Sequence, residues 1–324
     1  MSATPPPARR RERPEPPHRR GAPVPPVRPE RLEPPARPDA LAWLGHATCV
    51  LDVGGVRLVT DPLLGAHAGM LRRLGGIAPS AEDWSGADAV LVSHLHHDHA
   101  HVASLRSTHA VVLSAPANAR WLGQRGLPTR GLGPEEWWRP SWAPQVAVRA
   151  VHAVHGHRPM PHRPNATVGF LVVRDAPGDD DAAKGGSASG TNAPGAGSPS
   201  GASGASADGA LRIWFAGDTE LYPEMAHLPD VAGGPIDLAL VPIGGWGPRL
   251  SGGHMDPTQA AHACALVGAR RAVPVHWGTL HAPLGRNLPR GWMEHGGAAF
   301  EAAVRREAPD CEPVVLAPGE RLAL

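Results

Sequence analysis

The chain has 324 residues, a formal net charge of +1 and 19 histidines. That length builds a hydrophobic core without stabilising cross-links, and the near-neutral charge argues against a nucleic-acid-binding protein. Three cysteines without a CxxC pair (Cys49, Cys264 and Cys311) argue against a disulfide framework. Because we find neither a signal peptide nor an apolar run of the ~20 residues that span a bilayer, we expect a soluble, cytoplasmic protein.

The first segment, residues 1–38, contains thirteen prolines, nine arginines and four glutamates. Such a composition cannot bury enough apolar surface to offset the entropy of ordering, so we expect a disordered, partly extended tail. Its basic character also fits an arm for acidic partners, but a solvated tail without a partner is the favoured interpretation.

The first predicted strands lie in residues 39–61, whose apolar pattern indicates two strands paired across the Gly54–Gly55 turn. Residues 87–94 form a buried strand that runs directly into the histidine-rich sequence SHLHHDH at 93–99. The pattern then alternates helices and strands: a helix at 101–108, a strand at 110–116, a helix at 117–126 and a strand at 146–155.

Residues 175–209 are rich in Gly, Ser and Ala, which predicts a flexible insertion. The flanking segments 166–173 and 210–217 have strand patterns, so the insertion lengthens a hairpin loop at little entropic cost. The elements that follow are a strand at 237–245, a helix at 257–269 capped by Asp256, a strand at 271–278, a helix within 289–308 and a strand within 312–320. We therefore predict one α/β domain, residues 39–324, with two packed sheets and helices outside.

Side chains of the types that bind metals follow four of these strands: the loop SHLHHDH, His155, Asp218 and His276. His94 and His96 are two residues apart and point the same way in an extended segment, whereas Asp98 and His99 follow on the turn. One loop can thus serve two adjacent cations, which would share a hydroxide from water whose pKa falls from ~15.7 to ~7. A single histidine after a strand is more often structural, but four ligand-type residues in HxHxDH rarely coincide by chance.

The loop SHLHHDH resembles the HxHxDH signature of metallo-β-lactamase-fold hydrolases, and the similarity spans roughly residues 40–324 apart from the insertion. One branch of that family contains N-acylphosphatidylethanolamine-hydrolysing phospholipase D and L-ascorbate-6-phosphate lactonase-like proteins. Four further segments are similar to this branch: LAWLGHATCVLDVGGVRLVTDPLL, FAGDTELYPEM, PIGGWGPRLSGGHMDPTQAAHA and PVHWGTL. The resemblance implies a four-layered αββα sandwich with a dinuclear site at one edge of the two sheets.

The same resemblance implies the ligands of two metal ions: His94, His96 and His155 for the first, Asp98, His99 and His276 for the second, and Asp218 as the bridge. His152 and His157 are alternatives to His155, which is preferred because the segment VRAVHAVHGHR aligns with the family there. Zinc is the expected metal, with Mn²⁺ and Fe²⁺ as alternatives.

Four further features have two interpretations each. Asp61 either orients a ligand imidazole or forms a turn, and His46 either lines the site or makes a structural hydrogen bond, which is favoured. His254 lies near the metals in the resemblance, where it would bind a phosphate or protonate a leaving group; otherwise it caps the next helix or lies in solvent. The tryptophans of WWRPSW at 137–142 form either an apolar rim or part of the core, which is favoured.

These observations predict a metal-dependent hydrolase in which Asp98 orients the attacking hydroxide and His254 assists the leaving group. A phosphodiester, such as a phospholipid head-group linkage, is the first expected substrate. The alternatives are a lactone or ester of a small phosphorylated compound, a nuclease of the same superfamily, and a metal-stabilised binding protein without activity. We expect no nucleic-acid partner, and peripheral contact with a membrane stays open.

Overall fold

The computed structural model describes residues 37–156, 162–176, 208–245, 247, 250 and 252–324. The predicted tail at 1–38 and the predicted insertion at 175–209 lie almost wholly outside these residues. No helix in the described ranges combines the length and the apolar character required to cross a bilayer.

The described strands are, in chain order, β1 (Ala40–Trp43), β2 (Cys49–Val53), β3 (Val56–Thr60), β4 (His67–Ala68), β5 (Leu71–Arg73), β6 (Ala89–Leu91), β7 (Val111–Ser114), β8 (Thr129–Gly131), β9 (Trp137–Trp138), β10 (Val146–His152), β11 (Val168–Arg174), β12 (Leu211–Phe215), β13 (Leu238–Pro242), β14 (Arg271–Val275), β15 (Leu280–His281), β16 (Glu312–Pro313) and β17 (Arg321–Ala323). The α-helices are α1 (Ala81–Trp84), α2 (Val102–Thr108), α3 (Pro116–Gly123), α4 (Leu228–Ala232), α5 (Pro257–Leu266) and α6 (Gly296–Glu307). Three short 3₁₀ helices cover Leu74–Gly76, Pro223–His227 and Gly285–Asn287.

Two seven-stranded mixed sheets form the centre of the fold, one in the order β17-β1-β2-β3-β6-β7-β8 and the other in the order β16-β14-β13-β12-β11-β10-β9. In the first sheet β3, β6 and β7 run parallel, and in the second β12, β13 and β14 do. Because parallel strands end at the same edge, the loops that follow them emerge together.

The apolar side chains form three large layers, which explain the stacking of sheets and helices. The inner faces of both sheets share one cluster that includes Leu51, Leu113, Phe170 and Val273. A second cluster packs α4, α5 and α6 on the outer face of the second sheet, and a third packs α2 and α3 on the first. The predicted four-layered αββα arrangement is confirmed.

The paired strands predicted across Gly54–Gly55 are β2 and β3, and both glycines have positive φ. Residues 39–61 hold three strands rather than the predicted two, because a turn at 44–48 separates β1 from β2. The strands that flank the insertion, β11 and β12, pair in antiparallel fashion with Arg174 opposite Leu211, which confirms the predicted hairpin. A small sheet, β15-β5-β4, was absent from the sequence-based prediction.

Candidate metal centre

The loops that follow four strands converge on one buried group of histidines and aspartates. β6 leads into the 94–99 loop, β10 into His155, β12 into Asp218 and β14 into His276. Within the described residues, the possible metal-binding groups are four overlapping sets whose ligand atoms lie within 4.8 Å of one another, and all four belong to this place. The structure therefore brings together all seven residues named from the sequence as metal ligands.

The first set contains His94, His96 and His155. His94 Nε2 and His155 Nε2 lie 2.8 and 3.2 Å from His96 Nδ1. Three imidazole nitrogens thus face one another, and imidazole is a favoured ligand of zinc and of other transition metals. Two of these rings are half-buried and one is buried, so the set opens toward the surface.

The second set contains Asp98, His99 and His276 together with His46. His99 Nε2 lies 3.0 Å from His276 Nε2, and the same two nitrogens lie 3.6 and 3.7 Å from Asp98 Oδ2. All four residues are buried. A carboxylate beside two imidazoles suits a second cation adjacent to the first.

Asp218 lies between the two sets. Its Oδ2 is 3.1 Å from His99 Nε2, 3.3 Å from His276 Nε2 and 3.9 Å from His94 Nε2. Its Oδ1 is buried without a hydrogen-bond partner among the described residues. Since a buried carboxylate oxygen without a partner is costly, this arrangement fits a carboxylate that binds cations on both sides.

Hydrogen bonds outside the cluster fix the orientation of its histidines. The Nδ1–H groups of His155 and His276 donate to the carbonyls of Gly253 and Gly244, at 2.7 and 2.9 Å. His94 Nδ1 lies 2.9 Å from the Ser93 hydroxyl. Since a carbonyl only accepts, Nδ1 of His155 and of His276 carries a proton, and the Nε2 atom of each ring faces the cluster.

Of the two interpretations of Asp61, the structure supports the one in which it orients a ligand imidazole. Its Oδ1 accepts from the Ser93 amide at 2.8 Å, and its Oδ2 accepts from the Ser93 hydroxyl at 2.6 Å and lies 2.8 Å from His99 Nδ1. The same carboxylate thus supports one histidine directly and His94 through Ser93. The sequence contained no signal for the Ser93 contribution, since a serine at a strand end is common.

His46 makes a structural hydrogen bond, as favoured, but the bond is to the cluster itself. Its Nε2 lies 2.9 Å from Asp98 Oδ2, and its carbonyl accepts from the His276 amide. His46, Asp61 and His276 all have positive φ, between 32° and 62°. Such backbone conformations are disfavoured for residues other than glycine and concentrate at functional sites.

The charge balance of the cluster shows which groups hold protons when no cation is bound. Burial lowers the pKa of His94 well below its usual value and the pKa of His46 to about 3. Although burial opposes this, Asp218, Asp98 and Asp61 together raise the pKa of His99 well above the usual value. Likewise, His276 and His99 hold the pKa of Asp218 well below its ordinary value despite burial. The carboxylates are therefore ionised and ready to receive cations.

His254 is half-buried at the rim of the cluster. Its Nε2 lies 3.3 Å from Asp218 Oδ2, and it forms a ligand-type set with His155 and Asp218. The cap of α5 is Asp256, which accepts from the Gln259 amide, so the alternative of His254 as the helix cap is wrong. His254 thus lies on the half-buried side of the cluster, beside Asp218 and His155.

Of the three candidates for the third histidine, the structure places His155 in the cluster. His152 is exposed, and its ring contacts Tyr222 edge-on at 5.2 Å, away from His94 and His96. His157 lies outside the described residues. β10 ends at His152, whereas His155 lies three residues further on, in the loop that leads into the cluster.

The tryptophans of the 137–142 segment belong to the core, as favoured. Trp138 is buried in the hydrophobic core between the two sheets, and Trp142 packs against that core. Trp137 packs against the hydrophobic residues on the outer face of the second sheet. These rings therefore form no apolar rim around the metal centre.

Comparison with known proteins identifies the family. Residues 40–276 match the family described as the Beta-lactamase superfamily domain. A UPF0173 metal-dependent hydrolase of Nitratidesulfovibrio vulgaris is 38% identical over 111 residues, which are 34% of this chain and 39% of that protein. The N-acyl-phosphatidylethanolamine-hydrolyzing phospholipase D 1 of Caenorhabditis elegans is 25% identical over 244 residues, 73% of this chain and 63% of that protein. The chain thus spans less than two thirds of the length of these relatives.

A solved structure of a metallo hydrolase from the archaeon Ignicoccus hospitalis has the same fold, with a TM-score of 0.58. It is 21% identical and the match covers 88% of this chain and 98% of that one, a likeness that concerns the fold alone. The family match covers well over half of the chain and contains all seven residues of the ligand set. The chain belongs to the metallo-β-lactamase superfamily, and its buried His/Asp cluster is suited to two metal ions.

Proposed function

We propose that the chain hydrolyses a phosphodiester in the manner of a phospholipase D, using two divalent metal ions, with zinc as the expected metal. The observation that supports this most directly is the pair of ligand sets, His94/His96/His155 and Asp98/His99/His276, on either side of Asp218. Two adjacent cations are an arrangement that phosphoester-cleaving enzymes use to stabilise the attacking and leaving oxygens. The similarity to the phospholipase D of C. elegans supports a lipid phosphodiester as the substrate.

The bound cations would supply Lewis acidity and lower the pKa of water, and the protein would supply the rest. Asp98 Oδ2 lies 2.9 Å from His46 Nε2 within the second ligand set, and from there it could accept a hydrogen bond from an attacking water. His254 stands at the rim with its Nε2 3.3 Å from Asp218. From there it can donate a proton to the leaving alcohol oxygen of a phosphodiester.

The primary test measures hydrolysis of bis-p-nitrophenyl phosphate by the metal-loaded protein and by His96→Ala and Asp218→Ala. We expect either substitution to reduce kcat by more than about a hundredfold. His152→Ala is the matched control, since its side chain lies outside the cluster, and it should retain activity. Activity that survives both cluster substitutions would contradict the dinuclear proposal.

A substrate panel tests the choice of phosphodiester. It contains bis-p-nitrophenyl phosphate, a phosphatidylethanolamine and a sugar-phosphate lactone, each assayed after loading with Zn²⁺, Mn²⁺ or Fe²⁺. We expect turnover of the two phosphodiesters and release of the head-group alcohol from the lipid. Turnover of the lactone alone would replace phosphodiester hydrolysis by lactonase activity, the alternative that the sequence raised.

A further inference from the structure

The small third sheet, formed by β4, β5 and β15, stands beside the metal centre. β15 begins four residues after His276, and Leu280 and His281 pair with Arg73 and Arg72 of β5. The Thr279 hydroxyl accepts a hydrogen bond from the His46 amide at 2.7 Å. This sheet is therefore attached directly to residues that support the cluster.

The loops of this sheet carry the four most exposed large apolar side chains of the described residues. Met70, Ile77, Leu284 and Leu288 are 81%, 80%, 92% and 70% exposed, whereas no other such side chain exceeds 41%. A cavity of about 480 Å³ is lined by Met70, Gly76 and Pro283, so the two loops lie side by side. Exposed apolar side chains carried on neighbouring loops indicate an interaction surface.

Leu284 provides an independent sign that this surface serves a purpose. It has a φ of 64°, in the left-handed region that is disfavoured for a branched side chain. The strained backbone holds an almost fully exposed leucine away from the protein. Such strain at an exposed position is typical of functional segments.

The charged side chains of the same loops are all basic. Residues 65–77 and 280–293 contain no Asp or Glu, although the described domain is otherwise rich in both. Arg72, Arg286 and Arg290 are exposed on these loops. Arg73, by contrast, is buried and donates to the carbonyls of Leu44 and Leu63, so it anchors the sheet.

We propose that the apolar-basic surface, defined by Met70, Arg72, Ile77, Leu284, Arg286 and Leu288, docks on the surface of an anionic phospholipid bilayer. Exposed apolar side chains insert at the boundary between head groups and acyl chains, and arginines are attracted to anionic lipids. This charge complementarity favours a bilayer over a second copy of the chain, which would oppose like charges. The benefit to catalysis rests on the proposed function, because docking here brings the neighbouring metal centre to a lipid head group.

The test is co-sedimentation of the full chain with vesicles of equimolar phosphatidylglycerol and phosphatidylcholine, compared with vesicles of phosphatidylcholine alone. The wild type should bind the anionic vesicles and release from them at high salt. Two variants, Met70→Ser/Ile77→Ser/Leu284→Ser and Arg72→Glu/Arg286→Glu, should each bind at least roughly tenfold more weakly. The control, Leu266→Ser/Val315→Ser, changes exposed apolar residues elsewhere and should bind as the wild type does.

Hydrolysis of soluble bis-p-nitrophenyl phosphate is measured on the same samples. Unchanged hydrolysis by variants that no longer bind vesicles would support the proposal and exclude misfolding. Absence of wild-type binding, or equal binding by all variants, would overturn it. It would also be overturned if sedimentation showed a dimer that only the surface variants dissociate and that does not bind vesicles. If no sample hydrolyses any phosphodiester, the proposed function fails, while the vesicle result still decides the docking proposal.

Discussion

At the scale of single residues, one carboxylate outside the ligand set controls two histidines within it. Asp61 contacts His99 directly and reaches His94 through the Ser93 hydroxyl, and all of these groups are buried. A carboxylate that accepts from a ligand histidine fixes the tautomer and the direction of the ring. The ordering of the cluster therefore depends on a residue that lies outside the candidate ligand sets.

We expect Asp61→Asn to weaken metal binding by about 10–100-fold, because one oxygen becomes an NH₂ donor and the amide cannot accept all three of the hydrogen bonds that the carboxylate now makes. Metal content by atomic spectroscopy and affinity by competition with a chelator measure the effect. The control is Asp83→Asn, which changes a half-buried carboxylate in the capping box of α1. An unchanged affinity in Asp61→Asn would show that the His99 ring needs no such support.

The metal-free cluster should contain histidines of opposite protonation at the same pH. The pKa of His99 lies well above 6.5, so this ring keeps its proton at pH 7, whereas the pKa of His46 is about 3 and this ring stays neutral. The stabilisation from His99 is complete below pH 6.5 and is lost as the pH rises through its raised pKa. The lowered pKa of His46 has the opposite effect on the free energy of unfolding, which falls as the pH drops from 6.5 toward 3.

Nitrogen NMR of the imidazoles in the metal-free protein measures this difference, with His46→Gln to assign its signal. Added zinc should displace the His99 proton, because a metal ligand is a neutral imidazole. A neutral His99 at pH 7 before metal is added would contradict the expected charge balance.

At the scale of elements, the loop before α5 closes the metal centre through its backbone. The Gly253 carbonyl accepts the His155 Nδ1–H, and Gly253 has a φ of 87°. A Cβ atom at Gly253 would collide with the backbone nitrogen of Gly156, so the two segments pack with no room for a side chain. Only glycine meets both requirements here.

Gly253→Ala should displace His155 from the first ligand set and reduce the metal content from two ions per chain to one. Gly252→Ala is a matched control one residue away, because a Cβ there would contact nothing within 4 Å. Metal analysis of both purified variants, with the melting temperature as a check on folding, measures the outcome. A metal content of two ions per chain in Gly253→Ala would show that the loop rearranges to accommodate the added methyl group.

The elements that the sequence predicted well have strong apolar patterns and clear end signals. β6 and β13 are continuous apolar runs, β14 is apolar after Arg271, and the capping box at Asp256 marks the start of α5. The third sheet was missed because two of its strands have two residues each and are stabilised by pairing across distant segments. Periodicity carries no information over such short strands.

At the scale of the whole molecule, the fold gathers carboxylates and imidazoles in one buried cluster. Bound cations would balance the negative charge of these carboxylates. Asp98 and Asp218 are both buried and both kept ionised by histidines. In addition, any ion that binds the folded state and not the unfolded chain stabilises the fold by mass action. Metal content and stability should therefore change together.

Chelation should lower the melting temperature by roughly 8 °C, which corresponds to the about 4 kcal/mol given by free metal at about a thousand times its Kd. Calorimetry of the protein with zinc and with excess EDTA measures the difference. The same comparison in His96→Ala should show a much smaller shift. An equal shift in that variant would mean that the stabilising ion binds elsewhere.

The sequence predicted the site better than its surroundings. HxHxDH is a dense local pattern, and His155, Asp218 and His276 each follow a strand, so strand prediction sufficed to suggest that they meet. The orienting contacts of Ser93, Gly244 and Gly253 use backbone or common side chains, which leave no mark in a sequence. Their roles emerge only from distances between segments up to 98 residues apart.

The two ends of the described domain adjoin each other, since β17 pairs with β1 and the Leu324 amide donates to the Asp39 carbonyl at 3.1 Å. Elsewhere the chain already tolerates a long interruption between Arg174 and Leu211, which face each other in the second sheet. A circular permutant is thus geometrically feasible, with residues 324 and 39 joined by a short linker and new termini at 208 and 176. In such a rearranged gene product, all seven ligands would keep their places although their order along the chain had changed.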